Sequence, residues 1–175
     1  CVACPTGRYL DEEGKSVIHE CKACGTGKKG TNAGLISSFH TDNTLGCINC
    51  PIGFFQPSIG NKDCERPDPG FFAKVAGLAN VESCGRGKYS IDSREDCDEC
   101  PKGKYNGLER QTSIAACKNC DPGYFNNATG GASLLACVDC DAGKYNPDIG
   151  AISVLQCVNC VAGTFQKNRG SKVCD

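Results

Sequence analysis

The most regular apolar position along this chain is a single aromatic ring, which recurs at Tyr9, Phe55, Phe72, Tyr89, Tyr105, Phe125, Tyr145 and Phe165. Each ring stands two residues after a glycine: Gly7, Gly53, Gly70, Gly87, Gly103, Gly123, Gly143 and Gly163. Gly27 holds the same place in a copy whose aromatic is replaced by Lys29. Turn-forming and polar residues fill most of the intervals. A second glycine follows the aromatic by five residues in most copies, at Gly14, Gly60, Gly77, Gly130, Gly150 and Gly170. This pattern predicts small irregular β-hairpins: a glycine-dependent turn, a short strand at G-x-[YF], a second turn, and a short return strand ending at cysteine. Such strands are too short to be stable alone. Little or no helix is expected.

The hairpins are copies of one unit, C-x-x-C-x-x-G-x-[YF]. It reads CVACPTGRY at Cys1, CINCPIGFF at Cys47, CDECPKGKY at Cys97, CKNCDPGYF at Cys117, CVDCDAGKY at Cys137 and CVNCVAGTF at Cys157, with a divergent CKACGTGKK at Cys21. From Cys100 through Cys120 and Cys140 to Cys160 the period holds at 20 residues. Self-similarity of this kind marks a repeat architecture in which each unit contacts mainly its neighbours. The expected form is an elongated array of small disulfide-rich repeats, a narrow rod or gentle superhelix, with each aromatic packed on an adjacent disulfide.

Composition explains what replaces a core. The chain has 175 residues and 17 cysteines, with no Trp and no Met. Leu, Ile, Val and Phe together make up under a fifth of it, too little for a large common hydrophobic core. Cysteine at this density signals disulfides formed in an oxidising compartment, so a secreted or cell-surface location is expected. The net charge is −1 with both signs interspersed, which argues against nucleic acid as a partner. No apolar stretch approaches a membrane span.

A lapse in the repeat gives the connectivity. In frame, CERPDPGFF at Cys64 has Pro67 where a second cysteine belongs, and VESCGRGKY has Val81 where the next unit's first cysteine belongs. If those two positions normally bond each other, losing both leaves no orphan thiol. Bonds inside each C-x-x-C would instead strand Cys64 and Cys84. The rule pairs Cys4–Cys21, Cys24–Cys47, Cys50–Cys64, Cys84–Cys97, Cys100–Cys117, Cys120–Cys137, Cys140–Cys157 and Cys160–Cys174. It bounds loops at about 4–21, 24–47, 50–64, 67–81, 84–97, 100–117, 120–137, 140–157 and 160–174. Only Cys1 is left over, and it would pair upstream of the chain's start. The array is therefore expected to be a fragment of a longer one.

Other chemistry was weighed against this scheme. Cys1, Cys4, Cys21 and Cys24 have acceptable zinc-ligand spacing, as do Cys97/Cys100 with Cys117/Cys120 and Cys137/Cys140 with Cys157/Cys160. A paired-ligand scheme would make odd and even units differ, which they do not, and it leaves the joint lapse unexplained. No βαβ context supports a redox C-x-x-C. His19 and His40 have no patterned nucleophile or acid beside them. The acids at Asp11, Glu12, Glu13, Glu95, Asp96, Asp98 and Glu99 match no EF-hand spacing and read as solvated faces. No catalytic residue, metal site or cofactor is expected. Asn127-Ala128-Thr129 is the one N-glycosylation sequon, set in a turn-rich stretch. The loop from Cys24 to Cys47 carries a cluster at Leu35, Ile36 and Phe39 that could serve as a lateral contact surface.

The tandem C-x-x-C-[PD]-x-G-x-[YF] pattern resembles the ephrin-receptor-like cysteine-rich repeat. It is distantly similar to tumour-necrosis-factor-receptor and furin-like cysteine-rich modules. The resemblance implies an extracellular, disulfide-bonded, elongated architecture of the kind found in surface proteins of protists and algae and in animal receptors. It carries architecture and no binding specificity. The expected role is a structural segment of a stalk, filament or mastigoneme-like surface protein. Its partners would be copies of itself or other extracellular structural proteins, with glycans possible. The alternative is a receptor ectodomain segment binding a protein ligand, for which an exposed apolar patch is the expected sign.

Overall fold

The computed structural model describes residues 4–10, 20–30, 46–92 and 95–175. Cys1, Asp11, Glu12, Glu13, Gly14, His19, Leu35, Ile36, Phe39 and His40 lie outside the described residues. The chain divides into two compact units, Cys1–Glu82 with Ser93–Asp96, and Ser83–Asp92 with Cys97–Asp175.

In the first unit, β1 (Arg8–Tyr9) pairs antiparallel with β2 (Lys22–Ala23), and β3 (Lys28–Gly30) with β4 (Cys47–Asn49). Phe55 makes an antiparallel bridge to Glu65 and a parallel one to Leu78. Two further strands, β5 (Phe71–Phe72) and β6 (Glu82–Ser83), follow in the chain. In the second unit the pairs are β7 (Lys88–Tyr89) with β8 (Asp98–Glu99), and β9 (Lys104–Tyr105) with β10 (Lys118–Asn119). They continue as β11 (Tyr124–Phe125) with β12 (Val138–Asp139), and β13 (Lys144–Tyr145) with β14 (Val158–Asn159). The outgoing strand of each hairpin is the predicted G-x-[YF] segment. The return strand differs from expectation: β8, β10, β12 and β14 are the two residues between the cysteines of the next C-x-x-C, so the strand starts after a cysteine instead of ending at one. Each hairpin is thereby clasped on both sides, its first cysteine closing the loop behind and its second opening the loop ahead.

Single 3-10 turns stand at Ile114–Ala116, Leu134–Ala136 and Val154–Gln156, and Glu20 is also in 3-10 conformation. Ser113, Ser133 and Ser153 start them in extended conformation, each hydroxyl accepting the N–H two residues on. This cap satisfies one of the donors that a helix start leaves open. The following cysteine ends the turn.

The buried apolar residues are mostly half-cystines. Tyr89 clusters with Cys100 and Cys117, and Phe125 with Cys140, Ala151 and Cys157. In these two repeats the aromatic packs on the disulfide of the next, the arrangement expected from the sequence pattern. Small satellite cores of this kind stand where a larger domain would have one hydrophobic interior.

Candidate functional site: the junctions between repeats

The structure joins Cys4–Cys21, Cys24–Cys47, Cys50–Cys64 and Cys84–Cys97. It also joins Cys100–Cys117, Cys120–Cys137, Cys140–Cys157 and Cys160–Cys174. These are the eight pairs given by the lapse at Pro67 and Val81. Their Cα–Cα distances run from 5.5 to 5.9 Å, the span at which a disulfide closes without backbone movement. The zinc alternative fails on the same observation for Cys4, Cys21 and Cys24 and for all the later cysteines. A sulfur shared in a disulfide has no thiolate to offer a metal.

Between the disulfides, six of the junctions repeat three backbone hydrogen bonds. The Gly103 N–H donates to the Asn126 carbonyl, the Asn106 N–H to the Gly131 carbonyl, and the Gly130 N–H to the Cys100 carbonyl, all at 2.8 Å. One repeat on, the same three run from Gly123 to Asn146, Asn126 to Ala151 and Gly150 to Cys120. They recur from Gly143 to Gln166, Asn146 to Ser171 and Gly170 to Cys140. In the first unit they run from Gly27 to Gln56, Gly30 to Asn61 and Gly60 to Cys24, then from Gly53 to Ala73, Gln56 to Leu78 and Gly77 to Cys50. Buried backbone groups need such partners.

The glycine three residues past the second cysteine is fixed by two constraints at once. Gly103 has φ +76°, and a Cβ there would lie 2.1 Å from the carbonyl oxygen of Gly150. Gly150 belongs to the repeat after next, and the same approach recurs from Gly7 to Gly60, Gly27 to Gly77, Gly87 to Gly130 and Gly123 to Gly170. The second-turn glycine is less strictly required. Arg110 occupies that slot with φ 57°, and its N–H still donates to Cys84 at 2.8 Å, the bond that Gly130 makes to Cys100.

Sequence reasoning missed the residue after the aromatic. Gln56, Asn106, Asn126, Asn146 and Gln166 are buried polar side chains, and each carboxamide is hydrogen-bonded through both ends. Asn126 Nδ2 donates to the Lys104 carbonyl at 2.9 Å and its Oδ1 accepts from the Ala128 N–H at 3.1 Å. Asn146 bonds the Tyr124 carbonyl and the Asp148 N–H in the same way, and Asn106 the Lys88 carbonyl and the Leu108 N–H. Gln56 bonds the Asp63 carbonyl and the Ser58 N–H, and Gln166 the Val173 carbonyl and the Asn168 N–H. The signal was present in the sequence as G-x-[YF]-[NQ] in five copies. Ser90 holds the same place, and its buried hydroxyl has no partner among the described residues.

The described surface carries several large apolar side chains. Leu134, Leu135, Val154 and Leu155, on the 3-10 turns, are exposed, Leu135 to 91% and Leu155 to 87%. Ion pairs such as Arg169 to Asp139 and Asp141, at 3.1 and 3.0 Å, lie at the surface, where each is worth little. Glu99, read from sequence as part of a solvated face, is exposed, with Lys88 Nζ 3.8 Å from its Oε1. Asn127 is also exposed. A shallow depression of about 290 Å³ is lined by Tyr105, Leu108, Gln111, Ala116 and Lys118. Among the described residues no group of three or more His, Cys, Asp or Glu side chains could hold a metal, and no helix is long and apolar enough to cross a membrane.

Comparison with known proteins agrees with this geometry. Residues 38–84 match the family model described as tyrosine-protein kinase ephrin type A/B receptor-like. The chain is 29% identical over 121 residues to the Sushi, von Willebrand factor type A, EGF and pentraxin domain-containing protein 1 of Rattus norvegicus, covering 60% of this chain and 3% of that protein. It is 26% identical over 128 residues to the Signal peptide, CUB and EGF-like domain-containing protein 2 of Homo sapiens, covering 60% and 12%. The Danio rerio protein of that name is 29% identical over 115 residues, covering 60% and 10%. The chain thus spans only a small part of the length of the curated relatives it matches. Residues 38–84 thus resemble an ephrin-receptor-like cysteine-rich segment, set in an extracellular chain built of disulfide-closed repeats.

Proposed function

We propose that this chain is a structural repeat segment of an extracellular stalk, filament or mastigoneme-like surface protein, acting as a stiff, protease-resistant spacer and not as an enzyme. The observation that carries this reading is the recurrence of the same three backbone bonds at successive junctions, alternating with disulfides in the loops closed by Cys100–Cys117, Cys120–Cys137 and Cys140–Cys157. Side chains in these junctions serve the junctions: the glycines admit a close approach, the aromatics cover disulfides, and the carboxamides satisfy backbone groups. The partners are copies of the chain or other extracellular structural proteins. Negative-stain electron microscopy and sedimentation of the oxidised, purified chain test the reading. Ordered multimers with repeated contacts support it, whereas a monomer at all concentrations sinks it.

A second reading, a receptor ectodomain segment that binds a protein ligand, is favoured by the exposed leucines of the 3-10 turns. Apolar groups presented in this way mark contact surfaces when they form a contiguous patch. The double substitution Leu135→Asp, Leu155→Asp separates the readings. Loss of multimers with disulfides intact keeps the structural role. Loss of a single tight partner, from a chain that was monomeric throughout, selects the receptor.

A further inference from the structure

We propose that Asn127 carries an N-linked glycan, and that the sugar is added before the Cys120–Cys137 loop closes. The proposal rests on the extracellular reading above, because the transferase chemistry belongs to the secretory route. Two asparagines stand side by side in this loop, and the fold assigns them opposite roles. Asn126 is buried, its amide nitrogen committed to the Lys104 carbonyl and its oxygen to the Ala128 N–H. Asn127 is exposed, and it alone has a hydroxyl residue two places on, Thr129. The corresponding positions of the neighbouring repeats are Gly107 and Pro147. A bulky solvated sugar on Asn127 therefore leaves the junction bonds of the fold intact.

The ordering follows from the other two residues of the sequon. In the folded repeat the Thr129 hydroxyl donates to Glu99 Oε2 at 2.5 Å, and the Ala128 N–H is held by Asn126 Oδ1. The hydroxyl that makes the tripeptide an acceptor is thus occupied by the repeat before it. The competent acceptor is the open chain. In the transfer itself, Nδ2 of Asn127 attacks the anomeric carbon of a lipid-linked pyrophosphoryl oligosaccharide. The new bond is C–N, the bond broken is that carbon's link to phosphate oxygen, the lipid pyrophosphate leaves, and the amide gives up one proton.

The experiment expresses the whole chain in a eukaryotic secretory host and digests the secreted protein with a glycan-releasing amidase in heavy-oxygen water. Asp carrying heavy oxygen is expected at position 127, absent in Asn127→Gln and Thr129→Ala and restored in Thr129→Ser, with no free thiols gained in any variant. For the order of events, chain refolded with its eight disulfides and chain reduced and alkylated are each incubated with microsomal transferase and its lipid-linked donor. The reduced chain is expected to be modified and the oxidised chain to stay bare. A secreted, disulfide-bonded chain with unmodified Asn127 overturns the proposal. Equal modification of oxidised and reduced chains overturns the ordering. A chain that never reaches the medium, or arrives with reduced cysteines, overturns the extracellular reading and the proposal with it.

Discussion

The loops closed by Cys120–Cys137 and by Cys50–Cys64 are built from the same unit but finish differently. In the first, with a sequence separation of 17, a Ser-capped 3-10 turn fills the approach to the closing cysteine, and the residue after the aromatic is Asn126. In the second, with a separation of 14, the approach contains no such turn, and the residue is Gln56. The Asn side chain reaches back to a carbonyl of the preceding repeat, Lys104. The Gln, one methylene longer, turns into its own loop and bonds the carbonyl just before the closing cysteine, Asp63. Three other loops follow suit, while Cys4–Cys21, also separated by 17, has Leu10 at that place and Cys84–Cys97, separated by 13, has Ser90. Cys100–Cys117 and Cys140–Cys157, also separated by 17, use Asn106 and Asn146, whereas Cys160–Cys174, separated by 14, uses Gln166 on Val173. Side-chain length is matched to loop length, so that a buried carboxamide ties down whichever backbone carbonyl the loop brings within reach.

Four measurements test that match, in order of falling effect. Replacing Cys120 and Cys137 together by Ser should cost about 3 kcal/mol in unfolding by urea, and the Cys50/Cys64 pair nearly as much, since chain-entropy terms for these loops differ by only about 0.2 kcal/mol. A large gap between the two would mean that the loops differ in strain and not only in length. Exchanging the carboxamides, Asn126→Gln and Gln56→Asn, should each lose about 1–2 kcal/mol by stranding buried groups. Amide hydrogen exchange should report the loss at the Ala128 N–H in one and the Ser58 N–H in the other. If either swap is silent, the length rule is wrong. Ser133→Ala should lower thermal stability by about 0.5–1 kcal/mol through the missing cap, with no counterpart available in the shorter loops. Ser90→Ala should change stability by less than about 0.5 kcal/mol, or raise it slightly, because its hydroxyl is buried without a partner. A clear loss there would reveal a bond to that hydroxyl.

Much of the fold was legible because cysteine, glycine and aromatic residues each report one local fact. The absence of both Pro67 and Val81 from the cysteine pattern made connectivity readable, which spacing alone seldom allows. Gly103 and its equivalents marked turns because positive φ disfavours a side chain, and at Gly7, Gly27, Gly87, Gly103 and Gly123 a close backbone approach excludes one as well. The carboxamides were not read. An Asn beside an aromatic looks like surface, and its burial depends on carbonyls 18 to 22 residues away. The return strands were misplaced by a few residues because Lys118 and Asn119, or Val138 and Asp139, carry no strand signal of their own. They pair because the disulfide delivers them to the outgoing strand. Arg110 escaped for the opposite reason: it adopts a left-handed conformation that its residue type disfavours, held there by the same junction bond as the glycines.

Because the junction bonds join main-chain atoms at fixed places in each unit, a repeat does not need to know which repeat precedes it. A copied unit inserted whole finds the same donors and acceptors on either side, and a unit removed whole leaves its neighbours able to meet. A change that adds or removes a single cysteine instead leaves a half-cystine without its partner, whereas loop length is free to vary, with separations from 13 to 23. Cysteines are therefore expected to change in bonded pairs. The paired loss at Pro67 and Val81 marks the smallest edit that respects that rule, the deletion of one entire bond.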